Sequence, residues 1–97
     1  GNVDPLLLMR VMRHGMAAAG RYLSCRVRIG DSPGGLARLL AELADVEANV
    51  LDVVHERTST QLHLDEVEVS LQLETRGVEH TSRVLARLRE RGYLVSD

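Results

Sequence analysis

Apolar residues alternate in some stretches of the chain and recur every three to four positions in others, and the changes of period mark its elements. In "YLSCRVRIGD", Leu23, Cys25, Val27 and Ile29 fall on one face and Ser24, Arg26 and Arg28 on the other, which predicts a half-buried strand. "LARLLAELADVEA" repeats Leu36, Leu39, Leu40, Leu43 and Ala44 at the spacing of one buried helix face. "NVLDVVHERTS" is rich in β-branched residues and predicts a second strand entered at Asn49, and "TQLHLD" predicts a turn or irregular extension. "EVEVSLQLET" is the clearest strand, with Val67, Val69, Leu71 and Leu73 inward and Glu66, Glu68, Ser70, Gln72 and Glu74 outward. "GVEHTSRVLARLRERG" predicts a second amphipathic helix, with Thr81, Val84, Leu85 and Leu88 inward and Gly92 as its stop. "YLVS" makes a short last strand.

A different kind of helix precedes these. Residues Val3 to Gly20 predict one with Asp4 as N-cap, Pro5 at the first helical position and Gly20 as the stop. Its polar stripe is only Arg10, Arg13 and His14. A helix so apolar around its circumference calls for more protein against it than this chain supplies. It is expected either to have been cut from a larger domain or to be covered by a partner subunit. The opening "GNVD", without an initiator Met, suggests a processed product or an excised piece of something longer.

After that helix the order is strand, helix, strand, strand, helix, strand. This predicts an α+β fold, the ferredoxin-like βαββαβ arrangement, with a four-stranded antiparallel sheet whose first and third strands are central. Arg26 and Arg28 should then lie across from the Glu66, Glu68, Gln72 row, each such pairing being worth about 0.2–1 kcal/mol.

Composition removes several functions. The chain has 97 residues at 44% hydrophobic content, enough for one domain with a modest core. A net charge of −2 gives no electrostatic reason for a nucleic-acid or anionic-membrane partner, and 2% aromatic content offers no base-stacking platform. Cys25 is the only cysteine, so no internal disulfide forms, and it reads as a small buried apolar residue. With neither a signal peptide nor an apolar run near the roughly 20 residues of a membrane span, a soluble cytoplasmic protein is expected.

Catalytic chemistry finds little purchase. His14, His55, His63 and His80 are scattered over different elements, Cys25 has no CxxC partner, and no serine sits in a G-x-S-x-G elbow. The carboxylate row faces two arginines and reads as a solvated face. A metal sensor would require His55 and His63 to converge with a carboxylate such as Asp65. Neither a catalytic residue nor a resident metal is expected.

The stretch "GDSPGGLARLL" concentrates local meaning. Asp31 or Ser32 can cap the following helix, and Pro33 suits its first position. Gly34 and Gly35 then fall in the first turn, where each costs about 0.5–1 kcal/mol relative to Ala but exposes backbone N–H groups at the positive end of a helix. A phosphate cradle is disfavoured, because the Lys of a Walker loop and the spaced glycines of a dinucleotide fingerprint are both missing and Asp31 is itself an anion. A ligand bearing both a carboxylate and an ammonium suits the loop better, which describes a free amino acid. The residues leave two readings open, an amino-acid site and a capped turn.

"RVRIGDSPGGLARLLAELADVEANVLDV" resembles the first half of an ACT domain, with its D-x-P-G-x-L turn and A-N-V strand entry, and the likeness extends over about Leu23 to Val95. ACT domains are ferredoxin-like regulatory modules that bind amino acids, often between two subunits. The resemblance implies an effector site of Asp31, Ser32, Pro33, Gly34, Gly35 and Leu36 from one subunit, meeting the region of Asn49, Val50 and Leu51 from another. Asn49 can serve either pole of a zwitterion. Many effector-binding members carry Asn where Asp31 stands, which leaves the ligand's orientation open.

A second resemblance surrounds the first. "GNVDPLLLMRVMRHGMAAAGRYL", "HERTS" and "EVEVSLQLETRGVEH" resemble the C-terminal end of the threonine ammonia-lyases, pyridoxal-phosphate enzymes that deaminate threonine to 2-oxobutanoate. Of that family's cofactor-facing "SGGN" stretch only Gly1 and Asn2 are present, while its serine, its Schiff-base lysine and its phosphate-binding loop are not. The resemblance implies that residues 1–21 are the last helix of a catalytic domain and residues 22–97 an ACT regulatory domain. It implies no cofactor in this piece and pyridoxal phosphate in its parent. Partners would be further copies of the chain, as a homodimer or higher homo-oligomer, and an amino-acid effector (isoleucine, valine or threonine). The rival implication is an assembly module of the same enzyme that senses nothing.

Overall fold

Two nine-residue strands, β1 (Tyr22–Gly30) and β3 (Glu66–Glu74), run antiparallel at the centre of the sheet. The computed structural model describes residues 4–57 and 65–97. The β1–β3 register sets Leu23 against Leu73, Cys25 against Leu71, Val27 against Val69 and Ile29 against Val67. Directly opposed residues share a face, so the alternation legible in each strand merges into one apolar floor. β2 (Asn49–Glu56) flanks β3 and β4 (Leu94–Ser96) flanks β1, giving the order β2-β3-β1-β4. The ferredoxin-like arrangement is the one that forms.

Helices α2 (Gly35–Asp45) and α3 (Val78–Glu90) cover the floor, and Leu39, Leu43, Val84 and Leu88 close the core with no exposed surface. Each such side chain contributes about 1.5–3 kcal/mol by leaving water. The predicted helix faces hold except at Ala44, which is exposed. Leu39 and Leu43 define the centre of the buried face, and Ala44 lies about 100° further round than Leu43.

On the sheet's other face Arg28 stands opposite Glu68 and Arg26 opposite Ser70, so the cations do cross the carboxylate row. The Tyr22 hydroxyl donates to Gln72 Oε1 on this same face. β2 joins β3 with an irregularity: Val50 opposes Leu73 and Asp52 opposes Gln72, which makes Leu51 an extra, bulged residue. Val50 and Val53 pack on the core, while Leu51 is half exposed.

The leading helix, α1 (Pro5–Ala18), starts as predicted, with Asp4 Oδ1 accepting from the Leu6 N–H at 3.0 Å and Pro5 in the first turn. None of its described residues is buried, and Leu6, Leu7, Leu8, Met9, Val11 and Met12 all face solvent. The Arg13 guanidinium lies 5.6 Å from the centre of the Tyr22 ring. At its end the Gly20 N–H donates to Ala17 O and the Arg21 N–H to Met16 O, a Schellman closure. The Gly20 carbonyl in turn accepts from the Gly77 N–H at 3.0 Å and from Thr75 Oγ1 at 2.6 Å, with Thr81 Oγ1 3.0 Å away. The helix end is thereby tied to the start of α3.

α2 and α3 finish with the same pair of bonds, through Glu47–Ala48 and Gly92–Tyr93. Glu47 sits at φ 62°, a left-handed position held here by a residue with a Cβ. No helix among the described residues is long and apolar enough to cross a membrane.

Candidate functional site

The loop that leaves β1 is anchored before it turns: the Asp31 N–H donates to Asp65 O at 2.7 Å, which keeps Asp31 beside the start of β3. The Gly35 N–H then donates to Ser32 O at 3.1 Å, closing a turn with Pro33 and Gly34 at its centre. Proline followed by a residue of positive φ is the pairing a type II turn demands, and Gly34 has φ 84°.

Three local expectations are corrected by this turn. Neither the Asp31 nor the Ser32 side chain caps α2, whose N-cap is Gly34 without a side-chain bond. Pro33 precedes the helix instead of opening it, and of the two glycines only Gly35 is helical. The physical reason is that Pro33–Gly34 satisfies a turn better than a first helical turn, so the helix starts later.

Both glycines have a steric role. Gly34 supplies the left-handed φ, and a Cβ on Gly35 would stand 2.7 Å from Gly30 O, so the helix start approaches the end of β1 as only glycine allows. The Gly35 N–H is already used within the turn. Leu36 and Ala37 follow as the second and third helical residues, whose N–H groups have no acceptor within the helix.

An open cleft of about 330 Å³ lies against this loop, with Ile29, Leu36 and Ala37 as apolar lining and Asp31, His55 and Arg57 among its polar residues. Arg57 follows directly on β2, and its Nη1 donates to Asp31 Oδ2 at 2.6 Å. The pair joins the ends of two strands that are not neighbours, across the beginning of β3. It is partly solvated, with the Arg57 side chain 62% and the Asp31 side chain 34% exposed. Sequence reasoning had no route to Arg57 as a site residue, because only the β2–β3 register shows that it reaches Asp31. His55 entered there only as a candidate metal ligand.

The remaining predicted site residues lie elsewhere. Asn49 opens β2 opposite Glu74, to whose Oε1 its Nδ2 is 3.5 Å distant. Asp31 is at the Glu66 end of β3, so roughly 27 Å of strand separates the two groups. Leu51 lines a second cleft of about 290 Å³, an apolar one, with Met9, Met12, Met16 and Tyr22. Within one chain Asp31–Leu36 and Asn49–Leu51 do not meet.

Among the described residues no group of three His, Cys, Asp or Glu side chains is placed to hold a metal ion. His63, on which the metal-sensor reading depends, lies outside the described residues, as do Gly1 and Asn2. Every one of the 12 cationic side chains other than histidine is arginine, so the chain has no lysine with which to hold pyridoxal phosphate as a Schiff base. The residues present do not fit that cofactor.

No model of a known protein family matches the chain. Over 95 residues, 98% of its length, it is 44% identical to an L-threonine ammonia-lyase of Geobacter sulfurreducens. It is 32% identical over the same length to an L-threonine ammonia-lyase of Thermotoga maritima. In both cases the match covers 24% of the relative, so the chain spans about a quarter of the proteins it resembles. The ACT domain from the GTP pyrophosphokinase of Chlorobium tepidum superposes with a TM-score of 0.59, over 78% of this chain and 95% of that one. Identity there is 13%, so this likeness concerns the fold.

Proposed function

We propose that this chain, an ACT-fold domain homologous to a quarter of the L-threonine ammonia-lyases, is the allosteric amino-acid sensor of a longer, cytoplasmic enzyme of that kind. The observation that carries the reading is the cleft beside Asp31. It joins an apolar lining of Ile29, Leu36 and Ala37 to a carboxylate and a guanidinium 2.6 Å apart. An α-amino acid with a short aliphatic side chain has the same three parts, so isoleucine, valine and threonine are the effectors proposed. Deamination of threonine, with pyridoxal phosphate, would belong to the rest of the parent, and the exposed apolar side of α1 would be covered there.

Two copies of the domain would supply the two halves of the inferred site, the Asp31 loop from one and the Asn49–Leu51 segment from the other. Binding would bias the enzyme between two quaternary states only as far as the effector prefers one of them. Calorimetric titration of the 97-residue chain with isoleucine, valine, threonine and serine tests the reading. A saturable heat from at least one of them is expected. No heat from any, from protein shown to be folded by circular dichroism, rejects the sensor.

One observation favours a second reading, an assembly module that senses nothing. Gly34 and Gly35 are both accounted for by the turn and the close helix–strand approach, with no ligand required. That reading expects a homo-oligomer whose association is indifferent to all four amino acids.

A further inference from the structure

We infer that Arg57 is the carboxylate-binding residue of the cleft, and that an incoming amino acid opens the Asp31–Arg57 ion pair, taking one partner with each of its poles. The inference rests on the amino-acid reading above and adds the ligand's orientation.

Four observations lead to it. The Gly35 N–H already donates to Ser32 O and is not open to a carboxylate. Asp31 is an acceptor and can serve only the ammonium. Arg57 is the guanidinium that faces it across the cleft, and guanidinium is the side chain whose donors match a carboxylate in a fixed fork. The Asp31–Arg57 pair is also exposed enough to contribute little to folding, so opening it costs little.

The pair therefore mimics the ligand. Asp31 and Arg57 satisfy one another at the cleft, and an α-amino acid offers both a substitute of the required charge. The two residues belong to different segments, Asp31 between β1 and α2 and Arg57 after β2. Occupancy is thus read as a separation of those segments. His55, the other titratable side chain at the cleft, stands beside them on the β2 side.

The test uses the 97-residue chain, calorimetry, and three probes: L-isoleucine, L-isoleucinamide, which lacks the carboxylate, and 3-methylpentanoate, which lacks the ammonium. The wild type should bind L-isoleucine at least about tenfold more tightly than either analogue. Arg57→Gln should lose at least about tenfold toward L-isoleucine while binding the amide as the wild type does. Asp31→Asn should lose affinity for L-isoleucine and keep its affinity for 3-methylpentanoate. If Arg57→Gln, folded by circular dichroism, binds L-isoleucine as the wild type does, the carboxylate is held elsewhere and this inference alone falls. Equal wild-type affinity for L-isoleucine and its amide has the same meaning and needs no variant. A wild type that binds none of isoleucine, valine, threonine and serine overturns the sensor reading together with this one.

Discussion

His80 joins the two helices that cover the sheet: its Nε2 donates to Val46 O at 2.6 Å while its Nδ1 accepts the Arg76 N–H at 2.9 Å. Those roles assign the proton to Nε2 and leave the ring neutral. The side chain is buried, so each bond is one that water cannot replace. His80→Ala should therefore lower stability by about 2–4 kcal/mol, the cost of leaving both backbone groups unpaired. Urea denaturation should show the midpoint falling with an unchanged slope, and His80→Gln, which restores part of the pairing, should recover some of the loss.

Gly34 and Gly35 are predicted to tolerate alanine unequally. At Gly35 the new Cβ would press on the Gly30 carbonyl at 2.7 Å, a backbone contact that can be relieved only by moving the helix. At Gly34 the nearest atom is the end of the Arg38 side chain at 3.0 Å, and the penalty is the strained φ. Gly35→Ala should cost about 1–3 kcal/mol and Gly34→Ala about 1 kcal/mol. Thermal melts of the two variants should rank them in that order.

Glu47 holds the left-handed closing position of α2, where glycine is the usual occupant. Its carboxylate meets Arg76 at 2.5 Å, but both side chains are more than half exposed and the pair adds little. Glu47→Gly should raise stability by about 0.5–1 kcal/mol. A lowered melting temperature would show that the ion pair outweighs the backbone strain.

Cys25 makes stability depend on alkaline pH. Burial pushes its thiol up from the ordinary value of 9.0 to about 11, with Asp97 adding to the shift and Arg89 opposing it. Below pH 9 folded and unfolded chains both keep the proton, and the thiol adds no pH dependence. From pH 9 to 11 the unfolded chain releases it while the folded chain does not, so stability falls as pH rises, by about 2–3 kcal/mol in all. Cys25→Val should flatten that decline relative to the wild type, and the native thiol should resist alkylation at neutral pH.

What was legible in the chain follows from how local each signal is. The floor formed by β1 and β3, the faces of α2 and α3, and the stops at Gly20 and Gly92 rest on periodicity and on single residues with strong backbone preferences. Glu47 broke that rule, since nothing about a glutamate announces a left-handed residue. The Pro33–Gly34 pair was recognisable as punctuation, but its competing uses, turn centre and helix start, differ by too little to separate by propensity. His80 looked like one of four scattered histidines because its two partners are Val46, far off in sequence, and Arg76, in the turn ahead of α3. Asp31 was visible as part of a motif, whereas Arg57 became a site residue only once the strands were paired.

That pairing turns on Leu51. A strand alternates its sides strictly, and one additional residue shifts the phase of everything after it. Because Leu51 is that residue, Val53 opposes Leu71 and His55 opposes Val69 on the helix-covered side, and the same phase carried two positions further gives Arg57 the side on which Asp31 waits. Were Leu51 paired regularly instead of bulged out, the count would slip by one and turn His55 and Arg57 toward the other side of the sheet. The address of the cleft's guanidinium is thus written near the opposite end of the strand, by a residue that touches no part of the cleft.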